Sequence, residues 1–181
     1  MVVLTAMSVA REREQGTFDQ LLITPFRPVE IMVGKSIPSI LIGMVQTVLV
    51  LCAALFWFGI PFQGSLATLF LGVLMFLIAA VGVGLMISSV AATMQQALLG
   101  SFLTIMPFAL LSGLSTPIIN MPREVQYVTL INPLRYAISI VHRVFLEGAP
   151  LESILSDLWP LTLIAALTLS VAVWMFRHRL G

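Results

Sequence analysis

The sequence predicts an all-α, polytopic membrane protein with about four full transmembrane helices. An N-terminal helical stub, a short cytosolic helix and an extracytoplasmic helical hairpin complete it. Three observations carry this prediction. No Asp, Glu, Lys or Arg occurs from Ser36 to Pro122. A charged side chain at the bilayer centre costs roughly 2.5–3.5 kcal/mol on insertion scales, whereas Leu, Ile, Phe and Val each gain about 0.3–0.6. Of the 181 residues 59% are hydrophobic and only 9% charged, too few charges to face water all round. The charges present gather in three zones, at 10–35, 116–157 and the C-terminal tail.

The first element is residues 1–10, apolar but short. Ten residues of helix rise about 15 Å, half of a roughly 30 Å hydrocarbon core. Arg11 and Arg13 follow the apolar stretch, whereas a signal peptide carries its positive charges ahead of it. The stretch is expected to be the tail of a membrane helix. The polar zone after it holds Arg11, Glu12, Arg13, Glu14, Asp19, Arg27, Glu30 and Lys35. Within it Thr17 and Gln20 fit a capping box, and Phe18, Leu21 and Leu22 form an apolar ridge on a helix of about two turns. Pro25 stops that helix, and Pro28 suits the first position of the next. An amphipathic helix this short cannot bury its ridge alone and calls for a groove on a soluble partner; a solvated connecting loop is the plain alternative.

Full spans are expected at residues 37–60, 66–90, 97–114 and 158–176. Pro61 and Gly64 end the first, the weakly polar link 91–96 separates the second from the third, and Pro107 lies inside the third. Proline is tolerated there because neighbouring helices re-satisfy the freed carbonyl. Between the third and fourth spans, residues 133–146 alternate charged and apolar residues at helical spacing, with Leu134, Ile138, Val141 and Phe145 on one side. That pattern predicts a surface helix or a re-entrant hairpin. Four spans put the first polar zone and the tail on one side, together holding Arg11, Arg13, Arg27, Lys35, Arg177 and Arg179. The opposite zone holds Arg123, Arg135 and Arg143, so the positive-inside rule places residues 16–25 and the C-terminus in the cytosol.

Composition also excludes. A net charge of +1 leaves no footprint for nucleic acid. The single Cys52 supplies neither a disulfide nor a thiolate metal site within one chain. No cofactor, metal cluster or catalytic nucleophile is read from the sequence. Gly34-Lys35-Ser36 imitates the end of a phosphate-binding loop, but position 29 is Val29 where that loop needs Gly, and no strand precedes it. Lys35 reads instead as an interfacial anchor.

Ala80, Gly84, Ser88 and Ala92 recur every fourth residue, a small-residue ridge for close helix packing in lipid, either static or at a surface that repacks. His142 and Glu147 are five apart, a poor helical spacing for a shared metal. Arg135 calls for a carboxylate or a lipid phosphate, with Glu124, Glu147 and Glu152 the candidates. Gln46, Thr47 and Thr104 either line a pathway or bond to backbone, the second being the plainer reading.

The segment Glu14-x-Gly16-Thr17-x-x-x-Leu21-x-x-Thr24-Pro25 resembles the coupling helix of the ABC-2 type exporter permeases. Ser112-Gly-Leu-Ser-Thr-Pro-Ile-Ile-Asn-Met-Pro122 looks like that family's boundary between its fifth span and its extracytoplasmic hairpin. Asn132-Pro133-Leu134-Arg135-Tyr136 looks like the motif within the hairpin. The three elements occur in family order. The resemblance implies a single ABC-2 transmembrane domain over residues 1–181, with the first of six spans and part of the second missing. It implies docking of a separate ABC ATP-binding subunit through Glu14, Gly16, Thr17, Phe18, Leu21, Leu22, Thr24 and Pro25. It also implies pairing with a second permease subunit, as homo- or heterodimer, among membrane lipids of the cell inner membrane, and outward movement of a hydrophobic, drug-like, lipidic or glycan substrate. Two alternatives stand beside it: an intramembrane lipid-modifying enzyme using His142, Glu147 and Asp157, and a non-functional permease remnant.

Overall fold

The computed structural model describes residues 1–15, 28–114 and 116–179. Helix α1 is Val2–Glu14 and α2 is Pro28–Cys52, which runs on into a π-helical turn at Ala53–Trp57. Helix α3 is Leu66–Val90, and α4 is Met94–Leu110. A 3-10 turn at Ile118–Asn120 leads to α5, Arg123–Thr129, then α6, Pro133–Glu147, and α7, Leu151–Arg179. No strand occurs among the described residues. The chain is an all-α, polytopic membrane protein.

Three stretches are long and apolar enough to cross a bilayer: Met32–Trp57, Leu66–Val90 and Leu151–Met175. The second has the predicted bounds. The third expected span is shorter than predicted. With 17 residues α4 rises about 26 Å, at the lower limit for a span. The last helix begins seven residues earlier than the expected 158, because Glu152 and Asp157 are taken into it. Glu152 lies in the first turn, where the macrodipole favours a carboxylate. Asp157 is satisfied across the helix pair, its Oδ2 accepting from Ser139 Oγ at 2.8 Å and from Arg143 Nη1 at 3.1 Å.

Helix α3 is the centre of the bundle, packed on α7, α1, α6 and α2. Two glycines permit this. A Cβ at Gly82 would lie 2.4 Å from Thr168 Oγ1 of α7, and one at Gly84 would lie 2.8 Å from the Val2 carbonyl oxygen of α1. The core follows the same hub. One cluster joins α3, α6 and α7 through Leu69, Ile140, Val144, Ile154 and Leu161. A second joins α1, α2, α3 and α7 through Val9, Met32, Val81, Leu85 and Ala172. Small residues, Ala6, Ala10, Ala91 and Ala97, let α1 lie close against the start of α4.

The outer face of α2 is uncovered over Leu41, Val45 and Leu49, and ends in Phe56 and Trp57, 87% and 86% exposed. Water would not tolerate so large an apolar face on a soluble domain. Hydrocarbon does, and an aromatic end matches the bilayer interface. Polar side chains in the spans are satisfied locally. Thr47 Oγ1 donates to Gly43 O and Thr104 Oγ1 to Gly100 O, both at 2.8 Å, so both bond to backbone, and each also lines a cavity.

Candidate functional site

Two polar joints, one at each end of α4, bring the sequence motifs into contact with the spans. The first joint lies where α1 ends. Glu12 pairs with Lys35, tying α1 to the start of α2, so Lys35 is a helix-pairing cation as well as an end-of-span residue. Two residues on, Glu14 Oε2 accepts a hydrogen bond from the Met94 amide at 3.0 Å. That amide is an orphan donor of the first turn of α4, where a carboxylate also meets the positive end of the macrodipole. Thr93 is the N-cap of α4, its Oγ1 accepting from Gln96 N at 3.3 Å, while Gln96 Oε1 accepts from Ala92 N at 2.9 Å. This is a capping box shifted by one residue at its return bond. Glu14 thus belongs to the cap of α4. The other expected docking residues, Gly16, Thr17, Phe18, Leu21, Leu22, Thr24 and Pro25, lie outside the described residues.

The second joint is built by Asn132-Pro133-Leu134-Arg135-Tyr136. Asn132 is 2% exposed and faces two helix ends at once. Its Nδ2 donates to Phe108 O of α4 at 2.7 Å, and its Oδ1 accepts from Leu134 N at 3.0 Å as the N-cap of α6. Pro133 fits the first turn, where its missing N–H removes no helical bond. Tyr136 Oη donates to Leu130 O at 3.1 Å, and Arg135 Nη1 donates to Thr129 Oγ1 at 2.5 Å. Arg135 also stands 5.8 Å from the centre of the Tyr136 ring. The expected carboxylate partners of Arg135 are therefore replaced by Thr129, a residue whose hydroxyl comes within reach only when α5 folds back. The motif is the lock of the hairpin.

Helix α6 buries Pro133, Tyr136, Ala137, Ile140 and Val144. The stripe expected as its apolar side, Leu134, Ile138, Val141 and Phe145, lies next to that face and lines a cavity of about 800 Å³. The cavity is walled by α2, α3, α4 and α6, with Met1 and Val2 at its edge, and its lining is almost wholly apolar. Gln46 and His142 are among the few polar groups there. A second cavity, about 510 Å³, lies between α3, α4 and α7.

Of the small-residue ridge, Ala80, Gly84 and Ser88 are buried on α3. Gly84 receives α1, and Ser88 Oγ donates to Leu85 O at 2.7 Å. Ala92 is exposed and lies beyond the helix end, so the α3 ridge has three members rather than four. His142 Nδ1 stands 3.7 Å from Glu147 Oε1, both well exposed. Asp157, engaged by Arg143 and Ser139, does not join them in a cluster. Among the described residues no group of three His, Cys, Asp or Glu is placed to hold a metal.

The sequence profile of the ABC-2 type transporter family matches residues 1–146, from α1 through the hairpin. The chain belongs to the ABC-2 type transporter family. Its relatives include the probable multidrug ABC transporter permease YbhR of Escherichia coli (strain K12), 42% identical over 179 residues, 99% of this chain and 49% of the relative. The inner membrane transport permease YhhJ of the same strain is 32% identical over 184 residues, 99% of this chain and 48% of the relative. The linearmycin resistance permease protein LnrN of Bacillus subtilis (strain 168) is 29% identical over 180 residues, 97% of this chain and 46% of the relative. The chain spans about half the length of the curated relatives it matches. No solved structure matches it significantly. Both joints and the cavity lie within the ABC-2 match.

Proposed function

We propose that the chain is the C-terminal portion of a permease subunit of an ATP-driven ABC-2 exporter in the cell inner membrane. It moves a hydrophobic, drug-like or lipidic substrate outward. The observation that carries this reading is the likeness to permeases over 99% of the chain. ATP is hydrolysed on a separate subunit that docks on the segment from Gly16 to Pro25, held in the cytosol together with the C-terminus. A second permease subunit, identical or related, completes the pathway. The chain performs no chemistry of its own. Relatives named for multidrug and linearmycin resistance support an apolar cargo. So does an apolar-lined cavity of about 800 Å³, which gives a polyhydroxylated glycan almost nothing to bond to.

The test uses the longer permease that contains this chain, co-expressed with its ATP-binding subunit. Phe18→Asp and Leu22→Asp put carboxylates on the expected docking ridge. Co-purification of the ATP-binding subunit should fall at least tenfold, with export of a lipophilic dye lost alongside it. Undiminished binding by both variants would remove the docking assignment.

A further inference from the structure

Helices α4 and α7 both pack on α3 and leave a wedge between them, the cavity of about 510 Å³. Its walls include Met86 and Val90 of α3, Gln96, Gly100 and Thr104 of α4, and Met175 of α7, and no lining residue carries a charge. The wedge begins at one end of the bundle, where Ser89 Oγ donates to Met175 Sδ at 3.6 Å and sets the end of α3 beside the end of α7. From Gln96 to Thr104 it follows α4 for about 12 Å. One leaflet of hydrocarbon is about 15 Å deep, half of a roughly 30 Å core. The wedge therefore reaches most of the way through one leaflet. Its side is open, since Val90 in its wall is 55% exposed.

The deep end and the mouth differ in chemistry. At the deep end the Thr104 hydroxyl is taken by Gly100 O. At the mouth Gln96 is exposed, and its Oε1 accepts from Ala92 N, so the amide presents its N–H donors there. Past Met175 the last turn of α7 carries Arg177, His178 and Arg179. Basic residues just beyond the end of a span attract anionic headgroups. Three carboxylates stand at this end of the bundle, all on α1 and α2: Glu12 on Lys35, Glu14 on the Met94 amide, and Glu30 in the first turn of α2. The helices that form the wedge add none. Helices α3 and α4 have no charged residue, and Glu152 and Asp157 of α7 lie toward its other end.

We propose that the wedge between α3, α4 and α7 is a resident lipid site, which takes one acyl chain of an anionic phospholipid from the leaflet at this end of the bundle. The phosphate is held at the mouth by Arg177 and Arg179, and Gln96 donates to an ester or phosphate oxygen. An apolar slot one leaflet deep suits a hydrocarbon tail, and the charge past its mouth selects the headgroup. The lipid is a fixed part of the protein and not its cargo. The site needs only the membrane spans and holds for either orientation of the chain.

The experiment uses the longer permease purified in detergent with its ATP-binding subunit. It is given dioleoylphosphatidylglycerol or dioleoylphosphatidylcholine, and retained lipid is counted by native mass spectrometry. The parent should keep phosphatidylglycerol at least tenfold better than phosphatidylcholine, and excess glycerol phosphate should not displace it. Arg177→Gln with Arg179→Gln should abolish the preference. Thr104→Trp fills the wedge from a half-buried position and Val90→Trp from an exposed one. Each should lower retention of phosphatidylglycerol at least fivefold in complexes that elute intact. Equal retention of the two lipids by the parent, or full retention by both tryptophan variants, overturns the site. Displacement by glycerol phosphate makes it a site for free phosphate and overturns the lipid. A parent without lipid, whose tryptophan variants lose the second permease subunit, assigns the wedge to a contact between subunits. ATP turnover should leave the lipid in place, and its release on turnover would make it cargo. Dye efflux by the same complexes tests the permease reading separately.

Discussion

Asn132 shows how much one side chain carries when no water is at hand. Its amide nitrogen ends α4 and its amide oxygen begins α6, so one residue satisfies an orphan carbonyl and an orphan N–H. Because Asn132 is buried, no solvent replaces either bond. Asn132→Ala is expected to cost about 2 kcal/mol, the sum of a lost cap and a buried unsatisfied carbonyl. The cost is read as a lower Tm of the detergent-solubilised protein. Asn132→Asp keeps the cap but turns an anion toward the Phe108 carbonyl, so it should rescue little. A Tm unchanged in the Ala variant would refute the joint. The motif around Asn132 stands out in the sequence, but its role there does not, because Phe108 is 24 positions away. Arg135 illustrates the same limit. A cation near a membrane calls for an anion, yet the fold supplies the Thr129 hydroxyl and the Tyr136 ring.

Among the elements, α3 depends most on small side chains. The atoms a Cβ at Gly84 would meet are the Val2 carbonyl oxygen at 2.8 Å and Thr5 Cβ at 2.9 Å, neither of which is the flexible end of a side chain. Gly84→Leu should therefore push α1 away and destabilise by about 1–3 kcal/mol. Heat or denaturant unfolding followed by Trp fluorescence would measure it, and a variant as stable as the parent would deny the close crossing. Spacing alone marked Ala80, Gly84 and Ser88 on one face, but also Ala92, which lies beyond the helix end. Which helix the ridge receives was not legible, since spacing marks a face and not its partner. The start of α4 was missed: residues 91–96 were expected as a link, although Thr93-x-x-Gln96 is a capping signature, and it begins the helix three residues before the expected 97. The start of α7 was missed as well, because Glu152 and Asp157 look like loop residues until α6 supplies Ser139 and Arg143.

For the whole molecule, hydropathy and the charge-free middle were enough to read the fold class, since both follow from the solvent and not from packing. The cavities were not legible, for a void is a property of several helices together. Topology remains the quantity on which the functional reading turns. In the proposed topology, helices α2, α3 and α4 separate the segment after Gln15 from the hairpin, an odd number of crossings. Single cysteines at Gln15→Cys and Glu124→Cys, with Cys52→Ala, should differ in sealed cells. A membrane-impermeant maleimide is expected to label the second and spare the first until the membrane is opened. Labelling of both from outside would reverse the assignment of cytosolic and outer faces.

The Arg143–Asp157 pair bears on biogenesis. Helices α6 and α7 are separated by only a few residues, Gly148 to Pro150. Both side chains are only partly exposed, so either helix docked without the other would leave an ion short of both solvent and partner. Docked together, they carry a neutralised pair. The last quarter of the chain is thus suited to close as a hairpin early, because the pair is joined by so short a link.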